Sequence, residues 1–93
     1  MNQFTKHKII KQSFKKFGET NQRNKLIEEL SELSRACSRL NNEFNRENLN
    51  NFIEEIADVE ILIDQFRRKY GTEIESVKVT KLERLEKRMN KEY

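Results

Sequence analysis

The sequence predicts an all-α fold, a helical bundle of about four helices, and three observations point to it. Pro is absent, and Gly occurs only at positions 18 and 71. These two residues interrupt helices most strongly, so their scarcity favours long helical segments. Glu, Lys, Arg and Leu, all good helix formers, are abundant. Apolar residues recur at spacings of three and four, the period of a helix face.

The elements follow in order. A first helix is expected over about residues 2–17, with Phe4, Ile10, Phe14 and Phe17 on an approximate stripe and Gly18 as its stop. Lys6, His7, Lys8, Lys11, Lys15 and Lys16 read as a solvated face. A second helix runs from Thr20 or Asn21 to Leu40, its stripe being Leu26, Leu30, Leu33, Cys37 and Leu40. The polar stretch Asn41–Asn51 reads as a connection whose end is already helical. A third helix is expected from about Leu49 to Tyr70, with Phe52, Ile56, Val59, Leu62, Ile63, Phe66 and Tyr70 as its apolar set and Ile53 and Ile61 in addition, stopping at Gly71. A fourth begins near Glu73, with Leu82, Leu85 and Met89 on one side.

Residues 1–93 suffice for one domain and not for two. Only 34% of residues are hydrophobic, and a domain this small is often marginal alone, so the bundle is expected to be completed by a second copy. No apolar run approaches the ~18 residues of a membrane span, and the first ten residues lack a signal-peptide core. The expectation is a soluble, cytoplasmic protein. The single Cys37 has no internal disulfide partner and reads as a small buried thiol.

The net charge of +3 conceals a segregation. Residues 1–25 carry seven Lys/Arg and one Glu, residues 26–64 three Arg and ten Asp/Glu, and residues 65–93 nine Lys/Arg and five Glu. An acidic middle between basic ends suits a bound cation whose ligand is itself a polyanion. It also suits ordinary charge segregation between helices.

Two short runs carry the chemistry: Glu28-Glu29-Leu30-Ser31-Glu32 and Glu54-Glu55-Ile56-Ala57-Asp58. Residues three apart are neighbours on a helix, so Glu29 adjoins Glu32 and Glu55 adjoins Asp58, each like-charged pair costing about 0.2–0.5 kcal/mol. At about 100° per residue, Glu55 falls within roughly 20° of both Leu62 and Phe66, inside the apolar stripe. Glu29 falls between Ala36 and Leu40. An inward carboxylate without a partner is unfavourable, so two helices that each place one inward imply a shared cation. The candidate ligands are all oxygens, which suits Mg²⁺ or Mn²⁺. Iron in helical bundles uses Glu-x-x-His pairs, and His7 lies on another segment.

These residues resemble the MazG-like all-alpha nucleotide pyrophosphohydrolases. The matching text is Phe17-Gly18, Gln22, Lys25 and KLIEELSEL, then FIEEIADVEILIDQ, then VTKLERLEKRM, together covering about Phe17 to Met89. The family's E-x-x-E and E-x-x-D pairs fall on Glu29/Glu32 and Glu55/Asp58. The resemblance implies Mg²⁺-dependent cleavage of a (deoxy)nucleoside triphosphate to the monophosphate and pyrophosphate, with these four carboxylates holding the metal. It also implies a homodimer or homotetramer. Lys25, Lys81, Arg84 and Arg88 are candidates for the phosphates, Arg being suited to forked contacts; the plain alternative is ion pairing along their own helices. Glu28 and Glu54 read as outward glutamates or as further ligands. Tyr70 and Phe66 could stack a base, although core packing accounts for them as well. Gln65 stands where relatives carry other polar residues, so base recognition does not transfer.

Two other classes compete. A helical nucleic-acid-binding module would use the basic ends and the sequence pI near 9.1, but the acidic middle would repel a phosphate backbone. A protein-interaction bundle would carry its Glu runs as surface residues.

Overall fold

A computed structural model describes residues 1–92, and every element in it is helical. Helix α1 spans Gln3–Phe17, α2 spans Glu19–Asn42 and α3 spans Arg46–Glu92.

Local chemistry sets the ends. The Asn2 side chain caps α1, its Oδ1 accepting from the Thr5 amide at 2.8 Å, the usual use of Asn at this position. Gly18 ends α1 and starts α2 with φ +86°, a left-handed value that a Cβ would strain. Its amide donates to the Phe14 carbonyl and its own carbonyl accepts from Gln22, so one residue serves both helices. Between α2 and α3 the Asn-rich stretch is almost wholly helical, and only Glu43–Asn45 are not. Asn45 supplies the reason, capping α3 by accepting from the Asn48 amide at 2.8 Å. The Asn48 side chain in turn donates to the Glu43 carbonyl. The connection is thus shorter than the sequence suggests.

The expected third and fourth helices follow one another as two helical stretches of one continuous run, kinked within one residue of the expected boundary. Gly71 does not stop α3, because its φ is not positive and it continues the helical path. The break expected there is instead a bend one residue earlier, at Tyr70 with φ −115° and ψ 19°. A straight 47-residue helix would run about 70 Å. The longest extent of the molecule is 47 Å, so the bend turns the distal half well away from the proximal half. Below, residues 46–69 are called the proximal half of α3 and residues 71–92 its arm.

Helix α2 packs along the proximal half, and α1 lies across one end of this pair, touching both. The buried apolar core among the described residues is small, consisting of Ala36, Val59 and Leu62. On α2 the inward positions are Gln22, Glu29 and Ala36, seven apart, while Leu30 and Cys37 are exposed. The expected stripe is therefore rotated by about one position, and Cys37 is not the buried thiol expected of it. The shift follows from what α2 packs against. Gln22 points at Gln65 and Glu29 at the Glu55 carboxylate on α3, and Leu30 lies exposed outside the seam.

A polar chain ties the three helices where a core would ordinarily be apolar. Gln65, 2% exposed, accepts from Gln22 at 2.9 Å and donates to the Ser13 hydroxyl at 2.9 Å. Ser13 donates onward to the Ile10 carbonyl. Beside it Phe14 meets Phe66 edge to face, with centroids 5.3 Å apart. At the elbow Glu19 accepts from Lys69 at 2.6 Å and from the Tyr70 hydroxyl at 2.9 Å, and pairs with Arg23. Phe66 and Tyr70 are thus occupied by packing and hydrogen bonding, not held free for a base.

Removing one member of a buried hydrogen-bonded pair leaves the other unsatisfied, at about 1–3 kcal/mol, whereas replacing both by apolar groups is far milder. Gln65→Leu and Gln22→Leu should each lower the urea midpoint, and the double variant should lose less than the two single losses combined. Additive losses would show that the pair is not coupled.

Candidate metal centre

Helices α2 and α3 run side by side with Glu29 and Glu55 facing across the seam. Each occupies the inward stripe of its helix, as the angular reading of the sequence predicts. Glu32, one turn after Glu29, leans in from the solvent edge. One carboxylate oxygen from each of Glu29, Glu32 and Glu55 lies within 4.8 Å of the other two. Glu29 is buried, Glu55 half-buried and Glu32 exposed, so the group forms a cleft open on one side.

Two atoms define what the cleft lacks. The Oε2 atoms of Glu29 and Glu55 are both buried and have no hydrogen-bond partner. Buried carboxylate oxygens are normally satisfied, and a bare one costs a large share of its hydration energy. Burial raises the Glu55 pKa above its ordinary value, and the negative charges of Glu32, Asp58 and Glu29 push it further the same way. The arrangement therefore calls for positive charge between the helices, either a proton held on Glu55 or a cation shared by the group. Three convergent carboxylates with a solvent-facing side fit a hard divalent ion that keeps some of its water.

The fourth carboxylate, Asp58, stands apart. It is exposed on α3 one turn beyond Glu55 and does not converge with the other three, although its charge acts on Glu55. Lys25 is at the site: its Nζ lies 3.3 Å from Glu29 Oε1 and 3.9 Å from Glu28 Oε2. The hydrogen bond to Glu29, with the neighbouring glutamates, raises the Lys25 pKa and keeps it charged. It leaves Glu29 Oε2 bare, so it answers only part of the need. Glu28 is exposed beside Lys25, and Glu54 is exposed on α3.

Lys81, Arg84 and Arg88 do share a strip, lining one shallow depression with Leu85. That strip lies on the arm beyond the bend, and among the described residues no ion pair links it to the carboxylates or to any other group. His7 is exposed on α1, away from the carboxylate group. Sequence reasoning missed the Glu19–Lys69–Tyr70 cluster and the role of Ser13. Both depend on long-range contacts between helices, which no local spacing reveals.

No family model, curated protein or solved structure matches this chain.

Proposed function

We propose that this protein is a divalent-metal-dependent hydrolase of a (deoxy)nucleoside triphosphate, releasing the monophosphate and pyrophosphate. One observation carries the reading: the two bare, buried oxygens of Glu29 and Glu55, converging with Glu32 on a cleft that opens to solvent. The two E-x-x-E/D runs and their resemblance to the MazG-like pyrophosphohydrolases supply the reaction class. Glu29, Glu32 and Glu55 would hold Mg²⁺ or Mn²⁺, with Asp58 close enough in sequence to join when substrate phosphates arrive. The ion, when bound, supplies Lewis-acid polarisation of phosphate oxygens and lowers the pKa of an attacking water. The chain's own part is to aim these carboxylates at one point, in surroundings that disfavour bare negative charge on Glu55 until a cation joins it. Lys25 neutralises the Glu28/Glu29 side without filling the cleft. Cations for the polyphosphate come from Lys25 and from Lys81, Arg84 and Arg88, and the assembled enzyme is a homodimer or homotetramer.

The test is pyrophosphate release from a panel of ribo- and deoxynucleoside triphosphates, with Mg²⁺, with Mn²⁺ and with chelator. Metal-dependent formation of monophosphate and pyrophosphate supports the reading and begins to name the base. A folded protein inert on the whole panel with either metal overturns it.

A second reading has one observation in its favour. Helix α1 carries Lys6, Lys8, Lys11, Lys15 and Lys16, all exposed, and no acidic residue. Such a face suits the phosphates of a nucleic acid, and the reading requires binding that weakens steeply with salt. As to membranes, no helix among the described residues is long and apolar enough to cross one.

A further inference from the structure

We propose that the hollow between α1 and the proximal half of α3 is a second small-ligand site, which takes a nucleotide by its oligophosphate and its base. This site goes beyond the proposed hydrolysis and does not rest on it. Phe4 gives the first sign of it. The sequence counts Phe4 in the apolar stripe of α1, yet it is 77% exposed. At about 100° per residue Phe4, Lys8, Lys11 and Lys15 fall within roughly 60° of one another, outside the line of Ile10 and Phe14 that packs inward. Three lysines at spacings of three, four and seven repel one another, and α1 holds no acidic residue to offset them. The fold then adds Arg68 of α3. It lines the same hollow as these four residues and His7, a depression of about 450 Å³ with no carboxylate in its wall. Cations thus stand on both sides, and among the described residues none of Lys8, Lys11, Lys15 or Arg68 makes an ion pair. A hollow of that volume falls in the range of small-molecule sites.

Charge, the ring and length choose the ligand. Positive charge without acidic partners selects an oligophosphate, whose oxygens Lys meets as a point charge and Arg by a forked contact. Phe4 stands at one end of the lysine row, and a base of any identity stacks on an exposed aromatic ring. The row is short. Phe4 to Lys15 spans about 17 Å of helix, the reach of one extended nucleoside triphosphate. A nucleic acid would run on beyond it and meet like charge. The adjoining hollow, which shares His7 and Arg68, already contains Asp64, and residues 26–64 carry ten Asp/Glu against three Arg. An anionic bilayer is disfavoured because Phe4 is the one apolar residue on the strip, too little to insert. The site is also distinct from the carboxylate cleft. Arg68 lies thirteen positions beyond Glu55, about 20 Å along α3 and about 140° round it.

The experiment is calorimetric titration of the full chain with ATP and, separately, with inorganic tripolyphosphate, at low ionic strength in chelator. Without metal the carboxylate cleft repels both ligands, so it does not contribute to the signal. Wild type should bind ATP. Lys8→Glu/Lys11→Glu should weaken that binding by about 100-fold or more, because it sets like charges against the phosphates. Phe4→Ala should weaken ATP by about 5-fold or more and leave tripolyphosphate unchanged, since only ATP has a base to stack. Phe4, Lys8 and Lys11 are all exposed, so circular dichroism should show wild-type helix in each variant. Absent ATP binding overturns the inference, as does binding indifferent to the lysine reversals or to Phe4→Ala. So does a single-stranded oligonucleotide that displaces ATP and binds more tightly, an outcome that favours the nucleic-acid reading. ATP binding by a protein that hydrolyses no triphosphate leaves this inference standing, whereas turnover with no binding in chelator removes it alone.

Discussion

In Glu55→Gln, metal-dependent turnover is expected to fall by about 100-fold or more, while the metal-free protein melts at a higher temperature than wild type. The two effects have one cause. Glu55 is half-buried among Glu29, Glu32 and Asp58, with one oxygen bare. Loss of even an outer partner of a metal ligand costs about 10–100-fold in affinity or activity, so loss of a ligand's charge belongs at or beyond the upper end. Without metal the same charge is a burden that Gln does not carry.

The pH dependence follows from the direction of the shift. Burial, with the nearby carboxylates, places the Glu55 pKa in the folded protein above its unfolded value of 4.5. Between those two values the folded state binds more protons than the unfolded state, so stability falls as pH rises through that window. Acidifying metal-free wild type from neutrality should therefore narrow its deficit relative to Glu55→Gln, and the deficit should vanish near pH 4.5. Glu19 acts in the opposite sense. Its hydrogen bonds from Lys69 and Tyr70 lower its pKa, so its stabilisation is lost as pH falls through that lowered value. Both proteins share this loss, and the difference between their melting curves isolates Glu55. Added Mg²⁺ should reverse the order, raising the midpoint of wild type and not that of the variant. A variant no more stable than wild type at neutral pH, in chelator, would remove the argument for a charge-starved cleft.

Leu62→Ala should destabilise the protein by about 2–5 kcal/mol, the range for a buried Leu whose cavity does not collapse. Leu62 is 5% exposed and is one of three buried apolar residues among those described. A domain of this size commonly has only about 5–15 kcal/mol in total, so the variant should be substantially unfolded at moderate urea. Ile27→Ala is the control. Ile27 is 63% exposed and lines neither the seam nor the groove, and a surface change of this kind stays within about 0.5 kcal/mol. Urea denaturation of the three proteins decides the matter. Equal losses at both positions would mean that α2 packs on α3 in another rotation.

Glu55 and Glu29 were legible because burial on a helix is a matter of phase. Glu55 falls inside the apolar stripe of α3 at 3.6 residues per turn, and Glu29 at the edge of the stripe read on α2. Asp58 shares the motif but not the position. A step of three residues leaves it about 60° round the helix from Glu55, and only the angle at which α2 crosses α3 could say that Glu32 converges while Asp58 does not. The stripe of α2 misled for a related reason. Leu30 and Cys37 have helical spacing, but the inward line passes through Gln22, Glu29 and Ala36; Gln22 meets Gln65 there, whereas Glu29 meets the like-charged Glu55.

By itself, the sequence determined that this chain is helical, that the first helix ends at Gly18, and that two carboxylates point inward. These properties depend on residues within one or two turns: the absence of Pro, a position needing positive φ, and the phase of an apolar stripe. Only the tertiary structure decided that the break expected at Gly71 is a single non-helical residue at Tyr70 within one continuous run, that Gln65 links all three helices, and that every residue from Glu75 to Lys91 is exposed. Those outcomes depend on groups some 40 to 50 positions apart, such as Gln22 with Gln65 and Glu19 with Tyr70. Their meeting is governed by how whole helix faces pack, and local spacing carries no record of that.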